Sequence, residues 1–226
     1  MSSFPPSQFF PPAESADYRG LIGVGGELST EWLLDAYRHG IFPWPTRDEL
    51  LAWWSPDPRA VIEFEALHVS HKLARTLRSN RFTTTCDRAF TAVMEGCASA
   101  QQRAEATWIT PSIIAAYARL HQLGVAHSVE VWHDGELAGG VYGVGLGAMF
   151  AAESMFYRQS NASKVALVRL VRHLQARGYQ LLDVQQLTPH TARLGAGEIS
   201  RARFLERLAV ALKAGTTFGR QLEGLD

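Results

Sequence analysis

A long amphipathic helix followed at once by a short apolar segment that carries an acid limits the folds open to this chain. Apolar side chains recur along one stripe from about Ala162 to Ala176, and Gly178 stands where such a helix would end. The next segment, LLDVQ, has the length and composition of a buried strand. Asp183 and Gln185 would then point to the same face of the sheet. Because an unpaired buried carboxylate costs several kcal/mol, the pair needs either a structural hydrogen bond or a chemical role.

The segments before that helix predict an antiparallel hairpin. His127 to Trp132 alternates between polar and apolar residues, and Asp134-Gly135 is a strong signal for a type I′ turn. Further strands are predicted over 136–145 and 148–153, and earlier helices near 69–79, 87–97 and 111–123. Antiparallel strands, a helix and another strand follow one another in acetyltransferase-like sheets. We therefore predict an α/β (α+β) fold with a mixed central sheet.

The first sixty residues differ from the rest in composition. They are rich in Pro, Gly and Trp and contain IFPWP and WWSPDP, which do not allow long regular elements. One helix is predicted from Thr30 to His39, with Ser29 as its N-cap and Gly40 after its end. The chain is therefore expected to have a small N-terminal domain over 1–62 and a catalytic domain over 63–226.

Composition excludes several classes of protein. Lys+Arg and Asp+Glu are both 22 in a chain of 226 residues, so contact with nucleic acid would have to come from a local patch. No apolar run approaches the length of a membrane span. Cys86 and Cys97 lack CxxC spacing, and the eight histidines form no recognisable ligand motif. A monomeric, reduced, cytoplasmic protein without membrane, metal or cofactor is expected.

One such local patch is predicted on the helix near residues 69–79. Lys72, Arg75 and Arg78 recur every third residue, Arg81 follows, and no acid lies between Val69 and Cys86. Such a face contacts phosphates or is simply solvated.

Aromatic residues supply a complement to the basic face. Trp44, Trp108 and Tyr117 lie in or beside proline-containing loops or on a helix, where they either stack on an unpaired base or pack in the core. The glycine-rich GLIGVGG lacks both the GxGxxG frame and the lysine of a P-loop, so its glycines are interpreted as turn residues. Together, a basic face, loop indoles and a polar pair in a sheet indicate an enzyme that acts on the end of an RNA.

A series of motifs then identifies a family. The segments GLIGVGGELSTEWLLDAYRHGIFPW, WWSPDPRAVI, TWIT, HSVEVW, GGVYGV, FAAESMF, NASKVAL and LLDVQ, and then HTARLGA, resemble the motif series of the bacterial leucyl/phenylalanyl-tRNA–protein transferases, in the same order over nearly the whole chain. The resemblance implies two domains, the larger with the acetyltransferase (GNAT) fold. It implies transfer of Leu or Phe, and less readily Met, from aminoacyl-tRNA to the α-amine of proteins that begin with Arg or Lys, which marks them for N-degron degradation.

The resemblance also assigns site residues. It implies that Asp183 and Gln185 are the catalytic pair and that Glu153 meets the cationic N-terminal residue of the acceptor. It places Trp44, Trp108 and Tyr117 around the terminal adenosine of the tRNA. The remaining implied positions form the pocket for the amino-acid side chain: Val141, Phe150, Leu167, Leu170 and Leu174. The basic residues Lys72, Arg75, Arg78 and Arg81 are the expected contacts of the tRNA backbone.

The chemistry needs only positioning and modest base help, because an aminoacyl ester is already activated. Asp183, oriented by Gln185, is expected to hydrogen-bond the acceptor amine and to take or relay its proton. Thr188-Pro189 stand before His190 where family members carry Asn-Asp, and His190 receives no role. Several pocket positions are aliphatic where family members carry Phe, which leaves the preference between Leu and Phe open.

Two other functions fit parts of the pattern. An acetyl-CoA-dependent N-acetyltransferase would share the fold, but the segment 155–163 lacks the glycines of a pyrophosphate loop. A non-catalytic RNA-binding protein would use the basic faces and indoles alone. Binding of CoA, and the effect of Asp183→Ala on transfer, separate these alternatives from an aminoacyltransferase.

Overall fold

A mixed sheet of seven strands forms the centre of the computed structural model, which describes residues 5–45, 50–100 and 107–225. The strands are β1 Leu21–Val24, β2 Phe42–Pro43, β3 Ala52–Trp54, β4 Arg59–Ile62, β5 Thr83–Cys86, β6 Ala126–His133, β7 Glu136–Leu146, β8 Met149–Tyr157, β9 Leu181–Gln185 and β10 Ala196–Ile199. The helices are α1 Thr30–Arg38, α2 His71–Arg78, α3 Phe90–Ala98, α4 Pro111–Gln122, α5 Ala162–Ala176, α6 Pro189–Ala192 and α7 Arg201–Ala211.

The order of strands in the large sheet is β10-β4-β9-β8-β7-β6-β5. Only β8 and β9 run parallel, and α5 is the crossover helix between them; the other neighbours are antiparallel. The predicted α/β class with a mixed central sheet is therefore confirmed. Parallel neighbours need such a crossover because a tight turn cannot join them.

Each face of the sheet is covered by its own hydrophobic core. On one face, α5 is buried along most of its length and packs with Leu73 of α2. On the other face, residues of α1, α3, α4 and α7 pack against the sheet. Burial on both faces explains why β7 and β8 read as nearly continuous apolar runs. None of the described helices is long and apolar enough to cross a membrane.

Several local predictions match the structure closely. The turn residues Asp134 and Gly135 both have positive φ, at 51° and 82°, as a type I′ turn requires. Ser29 caps α1 by accepting a hydrogen bond from the backbone N–H of Trp32. Helix α5 is present over Ala162–Ala176 as predicted, and the residue before it, Asn161, has φ 73° and makes no side-chain cap. Turn chemistry and helical periodicity were thus sufficient for these elements.

The N-terminal region contains regular structure that the sequence did not predict. A three-stranded antiparallel sheet, β1-β3-β2, is built from its short segments. Strand β4 at Arg59–Ile62 pairs with β9 and β10 and so belongs to the large sheet. The division of the chain at residue 62 remains a prediction.

Candidate active site

A cavity opens where strands β8 and β9 separate. Their parallel pairing ends at Ala151 and Asp183, whereas β8 continues to Tyr157 and β9 to Gln185. A cavity of about 940 Å³ lies there. Glu153 is the one acidic side chain among the described residues that line it. Ligands often bind in the crevice beyond the carboxyl ends of parallel strands, which makes this cavity the candidate site.

A β-bulge in strand β8 places Glu153 in the wall of this cavity. Its neighbours Ala152 and Ser154 pair with Gly143 and Tyr142, so Glu153 itself has no partner across the β7–β8 ladder. At Gly143 a Cβ atom would lie 2.1 Å from a backbone carbonyl oxygen of β8, so the bulge requires glycine at that position. Bulges change the direction of side chains and are frequent beside active sites.

The carboxylate of Glu153 is only partly satisfied. Its Oε1 accepts hydrogen bonds from the hydroxyl of Tyr37 at 2.7 Å and from the amide of Gln185 at 2.8 Å. Its Oε2 is covered and accepts no hydrogen bond from any described residue. Burial raises the pKa of Glu153 to about 7, although the two hydrogen bonds lower it; the charge of Asp183 raises it further, and that of Arg59 opposes this.

Two buried tyrosines are connected to this carboxylate by hydrogen bonds. The hydroxyl oxygens of Tyr37 and Tyr117 are 2.5 Å apart. Because Tyr37 gives its one proton to Glu153, the hydroxyl of Tyr117 is the donor to Tyr37. Burial raises the pKa of both tyrosines well above the usual value, so both remain neutral donors. Helices α1 and α4 thus meet at the acid through one chain of hydrogen bonds.

Asp183 lies in a buried ion pair and not on the cavity wall. Its Oδ1 accepts a hydrogen bond from Nε of Arg59 at 2.9 Å, and its Oδ2 accepts one from Nη2 at 2.6 Å. Both residues are about 2% exposed or less. Arg59 also donates from Nη1 to the carbonyl of Gly40 at 3.0 Å. Its guanidinium carbon lies 4.8 Å from the ring centre of Phe42 and 4.4 Å from that of Phe204. A bidentate pair held between two rings is a rigid anchor.

Gln185 connects the ion pair with the acid in the cavity. Its backbone N–H donates to Oδ1 of Asp183 at 2.8 Å, and its φ is 63°. Ala60 and Val61 of β4 pair with Gln185 and Asp183, so Val184 is the extra residue of a second bulge. The bulge breaks simple alternation. Asp183 and Gln185 therefore have separate side-chain partners, Arg59 for the acid and the cavity carboxylate for the amide.

Two of the three aromatic residues expected near the adenosine line the cavity. Trp44 and Trp108 both do so, with ring centres 5.7 Å apart. The indole of Trp54 fixes this wall by donating to the carbonyl of Trp44 at 2.8 Å. Tyr117 is fully buried, does not line the cavity, and is hydrogen-bonded to Tyr37. Its expected contact with the base remains a prediction.

The residues expected to form the side-chain pocket divide in the same way. Val141 and Leu167 line the cavity. Phe150, Leu170 and Leu174 are fully buried and lie behind them in the core that covers the α5 face of the sheet.

The expected tRNA contacts are solvent-exposed. Lys72, Arg75 and Arg78 are exposed on α2, and Arg81 follows it. Of these four, Arg81 is engaged with a neighbour, donating to Gln159 at 3.2 Å. The basic face is therefore free to meet an anion.

Two residues of the site were missed by sequence reasoning. Tyr37 donates to Glu153 and Arg59 neutralises Asp183, but neither belongs to a segment that reads as catalytic. Arg59 stands in WWSPDPRAVI, and a lone arginine in an apolar strand was the available signal, because burying it requires an acid.

Comparison with known proteins identifies the family of the chain. The family model "Leucyl/phenylalanyl-tRNA protein transferase" matches residues 61–209, and the model of that family's N-terminal domain matches residues 26–57. The chain is 55% identical over 201 residues to the leucyl/phenylalanyl-tRNA–protein transferase of Chromohalobacter salexigens, covering 88% of this chain and 78% of that protein. It is 53% identical over 213 residues to that of Aromatoleum aromaticum, covering 93% and 90%.

Among solved structures, the chain is similar to a GCN5-related N-acetyltransferase from Kribbella flavida. The identity is 11%, the TM-score is 0.40, and the match covers 74% of this chain and 60% of that one. The transferase relatives, at more than half identity, set aside the two alternatives of an acetyl-CoA enzyme and a non-catalytic RNA-binding protein.

Proposed function

The chain belongs to the leucyl/phenylalanyl-tRNA–protein transferase family and is an aminoacyltransferase, and we propose that it adds Leu or Phe to proteins that begin with Arg or Lys. Transfer of an amino acid from aminoacyl-tRNA to a protein is the activity of the family. The proposed donors are Leu and Phe, with Met less readily used. The product would carry a new N-terminal residue that marks it for N-degron degradation in the bacterial cytoplasm.

The observation that carries the choice of acceptor is the unpaired oxygen of Glu153. It belongs to the one acidic side chain among the described residues of the cavity wall. A cation brought against this oxygen would satisfy a buried acceptor atom, whereas a neutral residue would leave it unpaired. An acceptor with a cationic N-terminal residue is therefore favoured over one with Ala. Since the pKa of Glu153 is about 7, the preference should weaken as the pH falls below that value.

We propose a different role for Asp183 from the one expected from the sequence. Each of its oxygens already accepts a hydrogen bond from Arg59, and Oδ1 accepts a second one from the backbone of Gln185. We therefore assign Asp183 a positioning role in place of a base. Gln185 lines the cavity and donates one hydrogen bond from its side-chain amide to Glu153. Its side-chain carbonyl is the group that we propose accepts a hydrogen bond from the attacking amine.

The reaction balances without an additional base. The α-amine of a free peptide has a pKa of about 7.7–8.0, so a useful fraction is neutral at neutral pH. Its nitrogen attacks the ester carbonyl carbon, the bond to the 3′-oxygen breaks, and the proton lost by nitrogen is gained by that oxygen. Holding amine and ester in attack geometry supplies most of the acceleration, since positioning alone is worth roughly 7–11 kcal/mol.

The donor is proposed to bind along the apolar part of the same cavity. Trp44 and Trp108 offer stacking surfaces for the terminal adenosine. Val141 and Leu167 offer an apolar wall for the amino-acid side chain. Side chains that are unbranched at Cβ should fit best, so Ile and Val should be poor donors. Because one methylene is worth only about 1–3 kcal/mol in such a pocket, some breadth among Leu, Phe and Met is expected.

The test compares two acceptor peptides that differ only in Arg or Ala at the first position. Transfer of radiolabelled leucine from Leu-tRNA is measured for the wild type, for Glu153→Gln, and for Glu136→Gln, which makes the same chemical change at an exposed residue. The wild type and the control should prefer the Arg peptide by about tenfold or more. Glu153→Gln should lose most of that preference.

Two results would contradict the proposal. If Glu153→Gln slows transfer to both peptides equally, the carboxylate does not read the cation. If the wild type transfers leucine equally well to both peptides, the proposed acceptor class is wrong.

A further inference from the structure

A second cavity, of about 490 Å³, lies beside the first and is strongly basic. Its wall is built from the start of α2, the start of α5 and the segment around α6. Lys164 and Arg193 line it together with His68 and His190. None of the eight described residues in its wall is acidic. In a chain with equal numbers of acidic and basic residues, such a concentration of one sign is a local feature that points to an anionic ligand.

The positive charges in this cavity are not neutralised by the protein. Neither Lys164 nor Arg193 forms an ion pair with any residue that the structure describes. The Nε2 atom of His190 is covered and has no hydrogen-bond partner among the described residues. Burial lowers the pKa of His190, and the charges of Lys164 and Arg193 lower it further. Two cations without an ion-pair partner and one histidine with an unpaired ring nitrogen thus line the same cavity.

The position of the second cavity relates it to the donor substrate. His190 lines both cavities, so the two adjoin at α6. Ser70, the N-cap of the basic helix α2, lies in the wall of the second cavity. An anion here would therefore lie between the exposed basic face of α2 and the cavity that holds Glu153. The positive end of the α2 dipole adds to the attraction for an anion.

We propose that the second cavity binds a phosphodiester group of the donor RNA close to its aminoacylated 3′ end. This inference rests on the proposed function, because it takes the RNA of that reaction as the ligand. Lys164 and Arg193 hold the phosphate oxygens, and His190 lines the same cavity. Lysine and arginine both form charge-assisted hydrogen bonds with phosphate. The contact would fix the depth to which the strand enters and so position the ester over Gln185.

The experiment compares two donors that differ in their phosphates. One is 3′-O-leucyl-adenosine, which has none, and the other is the same leucyl ester on a three-nucleotide RNA, which has phosphodiester groups. The value of kcat/KM is measured for each donor with one Arg-initiated peptide. The wild type should prefer the RNA donor, and Lys164→Gln combined with Arg193→Gln should reduce this preference about tenfold. Lys213→Gln combined with Arg220→Gln removes the same charges at exposed positions and should keep the preference.

A measurement on the wild type alone makes the test independent of the variants. Binding of the RNA donor should weaken with salt by a slope of about 0.7 for each phosphate that is neutralised, and the phosphate-free donor should show almost no slope. Inorganic phosphate should compete with the RNA donor and not with leucyl-adenosine.

Different failures have different meanings. An unchanged preference in the Lys164/Arg193 variant, or equal salt slopes for the two donors, overturns the phosphate assignment. If inorganic phosphate binds at His190 by NMR but does not compete with the RNA donor, the cavity takes free phosphate and the proposal is likewise wrong. If the wild type transfers leucine from neither donor, the proposed function itself fails.

Discussion

Replacing Glu153 by glutamine should stabilise the fold above neutral pH while it removes the acceptor preference. The pKa of Glu153 is raised from its usual 4.5 to about 7, chiefly by burial. At 1.36 kcal/mol for each pKa unit, this difference corresponds to about 3 kcal/mol against the charged form in the folded state. Because the side chain lines the cavity and is partly solvated, we expect about 2 kcal/mol in practice.

The sign of the pH dependence follows from proton linkage. Between pH 4.5 and about 7 the unfolded chain releases the proton of Glu153 before the folded protein does. The stability of the wild type should therefore fall as the pH rises through this window and stay reduced above it. Glu153→Gln has no proton to release. The difference in the free energy of unfolding between variant and wild type should thus shift by about 2 kcal/mol in favour of the variant from pH 5 to pH 8.

Urea unfolding at pH 5, 6.5 and 8 measures this difference. A fixed cost of burying the new amide group cancels, because it is the same at every pH. The control is Glu130→Gln, whose wild-type carboxylate accepts hydrogen bonds from Thr85 and Ser128 at 2.5 Å each. That variant should be destabilised. A difference between Glu153→Gln and wild type that does not change with pH would refute the reasoning.

Three further predictions concern the residues around the site and the basic face. Asp183→Asn leaves the buried charge of Arg59 unpaired and should lower the free energy of unfolding by about 3–5 kcal/mol, measured by urea unfolding; a loss below about 1 kcal/mol would contradict the ion pair. Tyr37→Phe removes a hydrogen bond that lowers the pKa of Glu153, so the acidic limb of the pH profile for the Arg acceptor should move to higher pH, and a limb that stays in place would exclude this contact. Arg75→Gln combined with Arg78→Gln should weaken tRNA binding and reduce its salt slope, whereas an unchanged slope would show that α2 does not contact phosphates.

The sequence was informative where structure depends on neighbours along the chain. The hairpin at Asp134-Gly135 and the helix Ala162–Ala176 follow from turn chemistry and periodicity, and both are present. The three-stranded N-terminal sheet and the helix Arg201–Ala211 were not predicted. Short strands that pair with distant segments have no local signature strong enough to identify them. The helix does have a local signal, the Ser200 N-cap followed by the buried residues Phe204 and Leu208, and sequence reasoning missed it.

The candidate site shows the same limit more sharply. Arg59 and Asp183 are 124 residues apart, and their contact depends on the register of β4 against β9. The position of Glu153 depends on a β-bulge, which strict alternation of residues along a strand does not predict. Family resemblance identified Glu153 and Asp183 as important residues. Only the three-dimensional structure shows that both oxygens of Asp183 are paired with Arg59, whereas Oε2 of Glu153 has no partner among the described residues.

The ion pair that neutralises Asp183 also affects the protonation of Glu153. Two nearby buried acids repel, and a site with both charges unpaired would protonate or lose its fold. The guanidinium of Arg59 removes this conflict by pairing with Asp183, and it lowers the pKa of Glu153 at the same time. What remains is one acid with a pKa near neutrality, whose Oε1 is held by Tyr37 and Gln185 and whose buried Oε2 has no hydrogen-bond partner among the described residues. Under the proposed function, the buried ion pair is therefore the condition that would allow a single carboxylate to recognise the acceptor at neutral pH.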